Sequence, residues 1–347
     1  MKIAFRLEVG KNHGTGHFKR CFELAKFFKK KCKIYFICSN LEKNLIKTLE
    51  EDNIKFYKIN NKHILNNEPM RVKDQKDDSR ETIEILKSIN CNMLIKDSYN
   101  FNHVWEKNFM EKKLKLIVIS DDYNKHYCNL FINFHMHSNT KLIKNKLITK
   151  NNLLGSKYAI STSYVKKYSL NNIKKSNKIV LVLSNSEIYK KTYIDIIDAL
   201  LIRNYNISVI LGHKNNFHFD IKNNYKKNSM KNQITFFNYI NRIEDLLVDC
   251  KFAITGGGFI NYEKCILGVP SLVVILSNDQ KLPSKKFENI NTLKIIAEFD
   301  DNKFHKKLNN CLDLMKPELI KKMSLNSKNI FDGLGAKRIY QHVIKQF

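Results

Sequence analysis

The most constraining feature of this sequence is a repeated alternation between short apolar runs and longer segments with helical spacing. A first apolar run at residues 2–6 leads through a glycine-bearing loop into a helical pattern over residues 18–30, and a second run follows at residues 33–38. Further apolar runs lie at residues 93–95, 116–119 and 130–132. Short strands that alternate with helices predict a parallel sheet with crossover helices.

The alternation restarts after a polar, lysine-rich stretch at residues 165–177, which we interpret as a linker. The second half predicts strands at 178–183, 208–211, 235–237, 252–255 and 271–276, and helices at 193–203, 243–249 and 259–267. A length of 347 residues also fits two domains, at roughly 150 residues each.

We therefore expect an α/β protein with two Rossmann-like domains that face a cleft. The first domain is expected over residues 1–165 and the second over 178–325. Residues 326–347 are expected to form a C-terminal helix that packs back towards the first domain. Because ligands bind outside the carboxyl ends of parallel strands, loops at those ends are the candidate sites.

The net charge of +28 raises the question of a nucleic-acid partner. Lysine runs are scattered through the chain and accompany no helix-turn-helix or RNA-recognition motif, so we predict no specific nucleic-acid binding. The charge is compatible with attraction to an anionic ligand and with weak association with an anionic membrane surface. No apolar run is long enough to span a membrane or to form a signal peptide, and we expect a cytoplasmic protein.

The cysteines and histidines do not form a recognisable metal site. Eight cysteines occur singly, without a Cys-x-x-Cys pair, and we interpret them as reduced core residues. The His135-x-His137 pair has no further ligands nearby, which favours a loop. We predict neither a metal nor a cofactor.

Glycine is scarce, and its positions are therefore informative. The chain has 11 glycines, and seven of them fall in two short segments: Gly10, Gly14, Gly16, and Gly256, Gly257, Gly258, Gly268. Glycine adopts positive φ freely and lets the backbone approach a ligand closely. These two segments are the places where we look for chemistry.

The first segment, Gly14-Thr15-Gly16-His17, follows a predicted strand and opens a predicted helix. The N-terminus of a helix attracts phosphate, and small residues allow a close approach. The dinucleotide-binding pattern is incomplete, because Lys19 occupies the third glycine position and no acidic residue closes the next strand. His17 could act as a general base at neutral pH or make a local hydrogen bond at the helix start, and both interpretations stay open.

The second segment, at residues 255–263, places three glycines between a predicted strand and a predicted helix. Glu263 follows about one turn into that helix, where its carboxylate can accept hydrogen bonds from two vicinal hydroxyls of a ribose. Gly268 and Pro270 then end the helix. The triple glycine alone could be a tight turn, but together with Glu263 it favours a nucleotide site.

Together these motifs resemble the UDP-2,4-diacetamido-2,4,6-trideoxy-L-altrose hydrolases of pseudaminic acid synthesis and the related spore-coat polysaccharide proteins. The likeness starts at residues 1–6 and Gly14-Thr15-Gly16-His17-x-x-Arg20-Cys21, and it covers most of the chain in order. It continues through Asp97-x-Tyr99, Trp105-Glu106, Asp121-Asp122, Cys128, Asn133, residues 153–159, residues 256–270, Asp279-Gln280 and Asp332-Gly333-x-Gly335-Ala336-x-Arg338.

The resemblance implies the two-domain glycosyltransferase B fold, which the peptidoglycan N-acetylglucosaminyltransferase also has. It further implies metal-free hydrolysis of a UDP-sugar at the anomeric carbon, with His17 as the base that activates water. Glu263 would hold the ribose, the glycine triplet the diphosphate, and Gly16 the sugar-proximal phosphate. The implied substrate-binding residues are Arg6, Gly14, Gly16, Arg20, Tyr99, Gly256, Gly257, Gly258, Glu263, Asp279 and Gln280, of which Tyr99, Asp279 and Gln280 would meet the sugar.

The chain departs from the family pattern at several positions. Glu8 stands where the family usually has aspartate, and residues 183–186 replace a glycine pair at the end of the first strand of the second domain. Ser156 and Thr162 replace a proline and an arginine. Because the lost glycines normally line the cleft, a different sugar substrate, or a UDP-sugar-dependent glycosyltransferase that acts in glycan synthesis, remains the alternative.

Overall fold

The computed structural model describes most of the chain in two compact units. Unit 1 comprises Met1–Thr162 with Leu334–Phe347, and unit 2 comprises Ser163–Gly333. The residues outside the description are 10–15, 61–68, 113, 123, 136–148, 150, 170–174, 185, 213–215, 227–230, 239 and 241, together with the side chains of residues 216, 226, 231 and 279.

Unit 1 is built, over its described residues, on a seven-stranded parallel sheet. The strands are β1 (Lys2–Leu7), β2 (Lys33–Cys38), β3 (Lys55–Lys58), β4 (Met93–Asp97), β5 (Lys115–Ile119), β6 (Leu130–Asn133) and β7 (Asn152–Leu154). They are ordered β3-β2-β1-β4-β5-β6-β7. The connecting helices are α1 (Gly16–Phe28), α2 (Lys43–Glu51), α3 (Val72–Ser88) and α4 (His103–Glu111).

Unit 2 has a six-stranded parallel sheet over its described residues, in the order β10-β9-β8-β11-β12-β13. These strands are β8 (Lys178–Val182), β9 (Asn206–Ile210), β10 (Ile234–Phe237), β11 (Phe252–Gly256), β12 (Ser271–Ile275) and β13 (Leu293–Glu298). Its helices are α5 (Ser163–Ser169), α6 (Lys190–Leu201), α7 (Asn216–Lys226), α8 (Glu244–Leu247), α9 (Ile260–Leu267), α10 (Lys281–Asn289), α11 (Phe304–Leu314) and α12 (Pro317–Ile330). None of the described helices is both long enough and apolar enough to cross a membrane.

The strand order locates the candidate site in each sheet. Both units follow the 3-2-1-4-5-6 order of dinucleotide-binding folds, and unit 1 adds a seventh strand. In such sheets the strand order reverses between the first and fourth strands, and ligands bind at the carboxyl end of that switch point. The switch point lies between β1 and β4 in unit 1 and between β8 and β11 in unit 2.

The unit boundaries differ from the expected 1–165, 178–325 and 326–347. Residues 163–169 form helix α5 in unit 2, not part of a linker, because Val165 is fully buried and α5 packs against α9. Residues 326–330 belong to α12 in unit 2. The final helix, α13 (Gly335–Gln346), belongs to unit 1 and packs against α1.

Gly335, at the start of α13, approaches the backbone of unit 1 too closely for a side chain. A Cβ on Gly335 would lie 2.1 Å from the carbonyl oxygen of Ala159 and 2.5 Å from the carbonyl carbon of Tyr158. Because both atoms belong to the backbone, no rotamer change relieves the clash. We expect Gly335→Ala to lower the free energy of unfolding in urea by about 2–4 kcal/mol.

The matched control for Gly335→Ala is Gly16→Ala, because a Cβ on Gly16 meets no heavy atom within 4 Å. We expect Gly16→Ala to leave the free energy of unfolding nearly unchanged. Equal stability of both variants and the wild type would contradict the close contact at Gly335.

Candidate active site

A histidine–aspartate pair lies at the switch point of unit 1. His17 is in the first turn of α1, which follows β1, and Asp97 is the last residue of β4. His17 Nδ1 lies 2.8 Å from Asp97 Oδ1, and both side chains are buried. The fold therefore joins two residues that are 80 positions apart in sequence.

Arg20, one turn after His17, holds Asp97 from the other side. Arg20 Nε donates to Asp97 Oδ2 at 2.5 Å, Nη2 bonds Asp97 Oδ1, and Nη2 also lies 3.0 Å from His17 Nδ1. Burial would raise the pKa of Asp97, but the charges of Arg20 and His17 outweigh burial and hold this pKa well below its usual range.

The ionised Asp97 determines the tautomer in which His17 pairs with it. A carboxylate can only accept hydrogen bonds, so the 2.8 Å contact requires the proton on His17 Nδ1. Arg20 Nη2, which lies 3.0 Å from the same nitrogen and can also only donate, then bonds Asp97 Oδ1 and not Nδ1. Nε2 is then the basic nitrogen of the ring, as a general base requires. Arg20 acts here on Asp97, and its expected contact with a substrate stays a prediction.

Tyr99 and Asp121 add a second hydrogen-bonded group near His17. The Tyr99 hydroxyl donates to Asp121 Oδ2 at 2.5 Å, and His135 Nε2 lies 3.1 Å from the same oxygen. The Tyr99 ring meets the His17 ring edge to face, with centroids 5.0 Å apart. Burial and the neighbouring Asp121 raise the pKa of Tyr99 well above its ordinary value, so its hydroxyl stays protonated.

Arg6 does not fit its expected substrate-binding role. Its side chain is fully buried, and its guanidinium bonds Asp78, Glu8 and the carbonyl oxygens of Leu7 and Ile37. All three guanidinium nitrogens thus have protein partners. The apolar neighbours on the central strand β1 bury the arginine with its acidic partners, and Arg6 stabilises the interior of unit 1.

A second buried ion network lies in unit 1, and it includes Glu106 and Asp122, which belong to the family likeness but were given no role by it. Glu106 Oε1 accepts from Lys96 Nζ at 3.0 Å and lies 2.7 Å from His126 Nδ1, while His126 Nε2 lies 2.8 Å from Asp122 Oδ1. Burial would lower the pKa of His126, but its hydrogen bonds with Asp122 and Glu106 raise this pKa above its ordinary value. The network ties β4 and α4 to the segment that carries Asp121.

The His126 contacts predict a stability that depends on pH. A raised folded pKa means that the contribution of His126 is complete below its unfolded pKa, near 6.5, and is lost as pH rises through the folded pKa. We expect His126→Gln to lower the free energy of unfolding by about 1–3 kcal/mol at pH 6 and by clearly less at pH 9. Urea titrations at both pH values measure this, and a loss that grows with pH would contradict the network.

The glycine triplet lies at the switch point of unit 2, as the sequence predicts. Strand β11 ends at Gly256 and helix α9 begins at Ile260. A Cβ on Gly257 would lie 2.6 Å from Ser284 Oγ, whereas a Cβ on Gly258 would meet no heavy atom within 4 Å. The loop therefore packs closely against α10 at Gly257 and is open at Gly258.

The side chain of Gln280 is hydrogen-bonded to the backbone of the glycine loop. Its Oε1 accepts from the backbone N–H of Gly257 at 2.8 Å and from that of Leu276 at 3.1 Å. Since the backbone occupies this oxygen, the predicted contact of Gln280 with a sugar would fall to Nε2. Gly14 and the side chain of Asp279, two further predicted site residues, lie outside the described residues.

Glu263 lies in the first turn of α9 and is 3% exposed. Helix α9 ends at Leu267 and is capped by Gly268, which has a left-handed conformation with φ of 65°, as predicted for a helix stop. Unit 1 thus brings together His17, Arg20 and Tyr99 at its switch point. Unit 2 brings together the glycine triplet, Gln280 and Glu263.

The described residues contain no group of three or more His, Cys, Asp or Glu side chains able to hold a metal ion. His137, the second histidine of the His135-x-His137 pair, lies outside the described residues. Every cysteine is buried and free, as the sequence predicts.

Solved structures of the same fold cover the whole chain. A UDP-glucosyltransferase from Polygonum tinctorium aligns over 99% of this chain and 98% of its own, with a TM-score of 0.71 and 10% identity. MurG of Acinetobacter baumannii aligns over 100% of both chains, with a TM-score of 0.69 and 12% identity. The chain has the glycosyltransferase B fold.

Two further proteins are similar to this chain, one in structure and one in sequence. UDP-GlcNAc 2-epimerase from Neisseria meningitidis, bound to UDP-GlcNAc, aligns over 100% of both chains with a TM-score of 0.66 and 10% identity. An uncharacterised protein of Methanocaldococcus jannaschii is 26% identical over 294 residues, which are 80% of this chain and 56% of that protein. The chain thus spans just over half the length of this relative. No known protein-family profile matches the chain.

Proposed function

We propose that this protein is a hydrolase that cleaves a UDP-linked 6-deoxy diacetamido sugar at the anomeric carbon and supplies the free sugar for nonulosonic acid synthesis. The observation that carries this proposal is the His17–Asp97 pair at the switch point of unit 1. The choice of sugar is supported by the sequence resemblance to the UDP-sugar hydrolases. The choice of UDP as the nucleotide is supported by the fold, because structures with this fold include proteins described with UDP-sugars.

The chemistry requires one base. His17 Nε2 takes a proton from water as the water oxygen attacks the anomeric carbon. The bond from that carbon to the β-phosphate oxygen breaks, and its electron pair leaves with UDP. Asp97 stabilises the imidazolium that forms, and His17 then releases the proton to solvent.

A nucleoside diphosphate is a good leaving group, so the reaction does not need the second carboxylic acid that glycosidases use to protonate a sugar oxygen. The backbone N–H groups and helix dipole at the start of α9 would stabilise the charge that develops on UDP. In this proposal Gly258, which is exposed, borders the diphosphate, and Gly16 lies at the sugar-proximal phosphate. Tyr99, whose hydroxyl proton is donated to Asp121, meets the sugar with its hydroxyl oxygen as an acceptor.

Incubation with candidate UDP-sugars in the absence of any acceptor tests the proposal. We expect UDP-2,4-diacetamido-2,4,6-trideoxy-L-altrose to yield equimolar UDP and free sugar. Chromatography of the reaction mixture measures both products. UDP release that occurs only with an added sugar acceptor would instead establish a glycosyltransferase, the second candidate. That candidate is favoured by the fold shared with MurG and the UDP-glucosyltransferase. An isomerised UDP-sugar without UDP release would contradict both.

The proposed ribose contact predicts a loss of nucleotide affinity in Glu263→Ala. A carboxylate that accepts two hydroxyl hydrogen bonds contributes about 1.5–3 kcal/mol, so we expect the Kd for UDP to rise about 10- to 100-fold in calorimetric titrations. Glu244→Ala is the matched control, because Glu244 is an equally buried glutamate of unit 2 on helix α8. An unchanged Kd in Glu263→Ala, or equal losses in both variants, would remove Glu263 from the ribose site.

A further inference from the structure

A buried lysine lies directly behind the glycine loop of unit 2. Lys264 is on α9, next to Glu263, and is 1% exposed. Its ammonium group donates to Thr255 Oγ1 at 2.5 Å, at the end of β11. The Thr255 hydroxyl in turn donates to the carbonyl oxygen of Gly256 at 2.9 Å. Two hydrogen bonds therefore connect the ammonium group to the first glycine of the triplet.

Lys264 has no acidic partner in the described part of the chain. It forms no ion pair there, whereas the buried arginines and Lys96 of unit 1 each contact a carboxylate. Burial without a carboxylate lowers the pKa of Lys264 to about 7. A buried cation without a counter-ion is costly for the fold, and such a group is commonly retained for function.

Among the described residues, the two thiols that interact electrostatically with Lys264 carry no negative charge near neutral pH. The pKa of Cys250 is raised to about 12 and that of Cys265 to about 11, mainly by burial, so both thiols are neutral. Helices α5, α8 and α12 pack against α9. The charged residues of these helices are Lys166 and Lys167 on α5, Glu244 and Asp245 on α8, and Glu318, Lys321, Lys322 and Lys328 on α12. Glu263 precedes Lys264 on α9 itself. None of these described residues forms an ion pair with Lys264.

We propose that Lys264 provides the missing half of an ion pair whose other half is the diphosphate of the nucleotide bound at the glycine loop, and that nucleotide binding draws a proton onto Lys264. The inference rests on the proposed binding of UDP. An anion at the open face of the loop favours the charged form of a lysine behind it, and by linkage the charged lysine favours the anion. Lys264 thereby couples nucleotide affinity to pH.

Calorimetric titration with UDP tests this coupling in two buffers of different ionisation enthalpy, HEPES and Tris, at pH 7.5. We expect the wild type to take up about half a proton per UDP bound, and its affinity to fall about fivefold from pH 7 to pH 9. Lys264→Met keeps an unbranched chain one atom shorter than lysine and removes the charge, and burying a neutral chain in its place favours folding. This variant should bind UDP with a nearly pH-independent Kd and without the lysine-linked proton.

Lys306→Met, which removes an exposed lysine of unit 2, is the control variant. It loses one positive charge, as Lys264→Met does, and UDP itself exchanges the same number of protons when it binds either variant. Its Kd for UDP and its proton uptake should match those of the wild type. Thr255→Val keeps the lysine and should retain proton uptake. Equal proton uptake in Lys264→Met and Lys306→Met, or UDP binding by the wild type without proton uptake, would overturn the role of Lys264. Failure of the wild type to bind UDP would instead overturn the proposed function on which it rests.

Discussion

His17→Asn is expected to lower kcat for UDP-sugar hydrolysis by about 10²- to 10⁴-fold, the usual contribution of a general base, while the Kd for UDP stays within about twofold. Asparagine can still bond Asp97 but has no basic nitrogen to accept a proton from water. Because the proposed ribose contact and the glycine triplet both lie in unit 2, and the His17 side chain is assigned to water and not to the nucleotide, the affinity for UDP should change little. Steady-state kinetics and UDP titrations measure the two effects separately.

The control for His17→Asn is His126→Asn, which alters a buried histidine of the same unit within the Glu106 and Asp122 network. This variant should lose stability and retain most of the kcat of the folded enzyme. If kcat were unchanged in His17→Asn, or reduced equally in both variants, His17 would not be the base.

Asp97→Asn is expected to have the second large effect, because it removes the group that both orients His17 and neutralises Arg20. With a neutral amide at this position, the tautomer of His17 is no longer fixed, and we expect kcat to fall about 10²- to 10⁴-fold. The buried Arg20 also loses its counter-ion, which should lower the free energy of unfolding by about 3–5 kcal/mol. Activity is therefore measured per folded molecule, at a temperature below the unfolding transition of the variant.

The control for Asp97→Asn is Asp78→Asn, which distinguishes a loss of stability from a loss of catalysis. Asp78 is as buried as Asp97 and forms the corresponding pair with a buried arginine, Arg6, but it has no contact with His17. We expect a similar loss of stability and a kcat close to that of the wild type. Equal losses of kcat in the two aspartate variants would contradict a specific role of Asp97 in orienting the base.

The sequence was sufficient to predict the strands that carry a continuous apolar run. Strand β5 is one such case, because parallel strands buried on both faces require uninterrupted apolar residues. It did not predict β3, β7 or β13. Strand β3 begins and ends with lysine, β7 has only three residues, and Lys294 interrupts β13. All three are edge strands. They form by pairing with a neighbouring strand, and their own sequences carry little of the apolar pattern that predicts a strand.

The candidate site was predictable only where it is local in sequence. The glycine triplet and Gly268 lie within one strand–helix connection, so spacing alone located them. Nothing in the local sequence pairs Asp97 with His17, because the parallel pairing of β1 with β4 at the switch point creates that contact. The partner of Arg6 is equally distant in sequence, because Asp78 lies 72 positions away. The local sequence therefore did not show that Arg6 is buried in an ion pair.

The most direct measurement for the central claim is hydrolysis of the UDP-sugar in water enriched in oxygen-18, with mass spectrometry of the released UDP. Attack of the His17-activated water on the anomeric carbon leaves UDP unlabelled and places the new oxygen on the sugar. The phosphate oxygens of UDP do not exchange with solvent under these conditions, so its isotope content records which bond broke. We expect unlabelled UDP, and UDP that carries one oxygen-18 atom would contradict cleavage at the anomeric carbon.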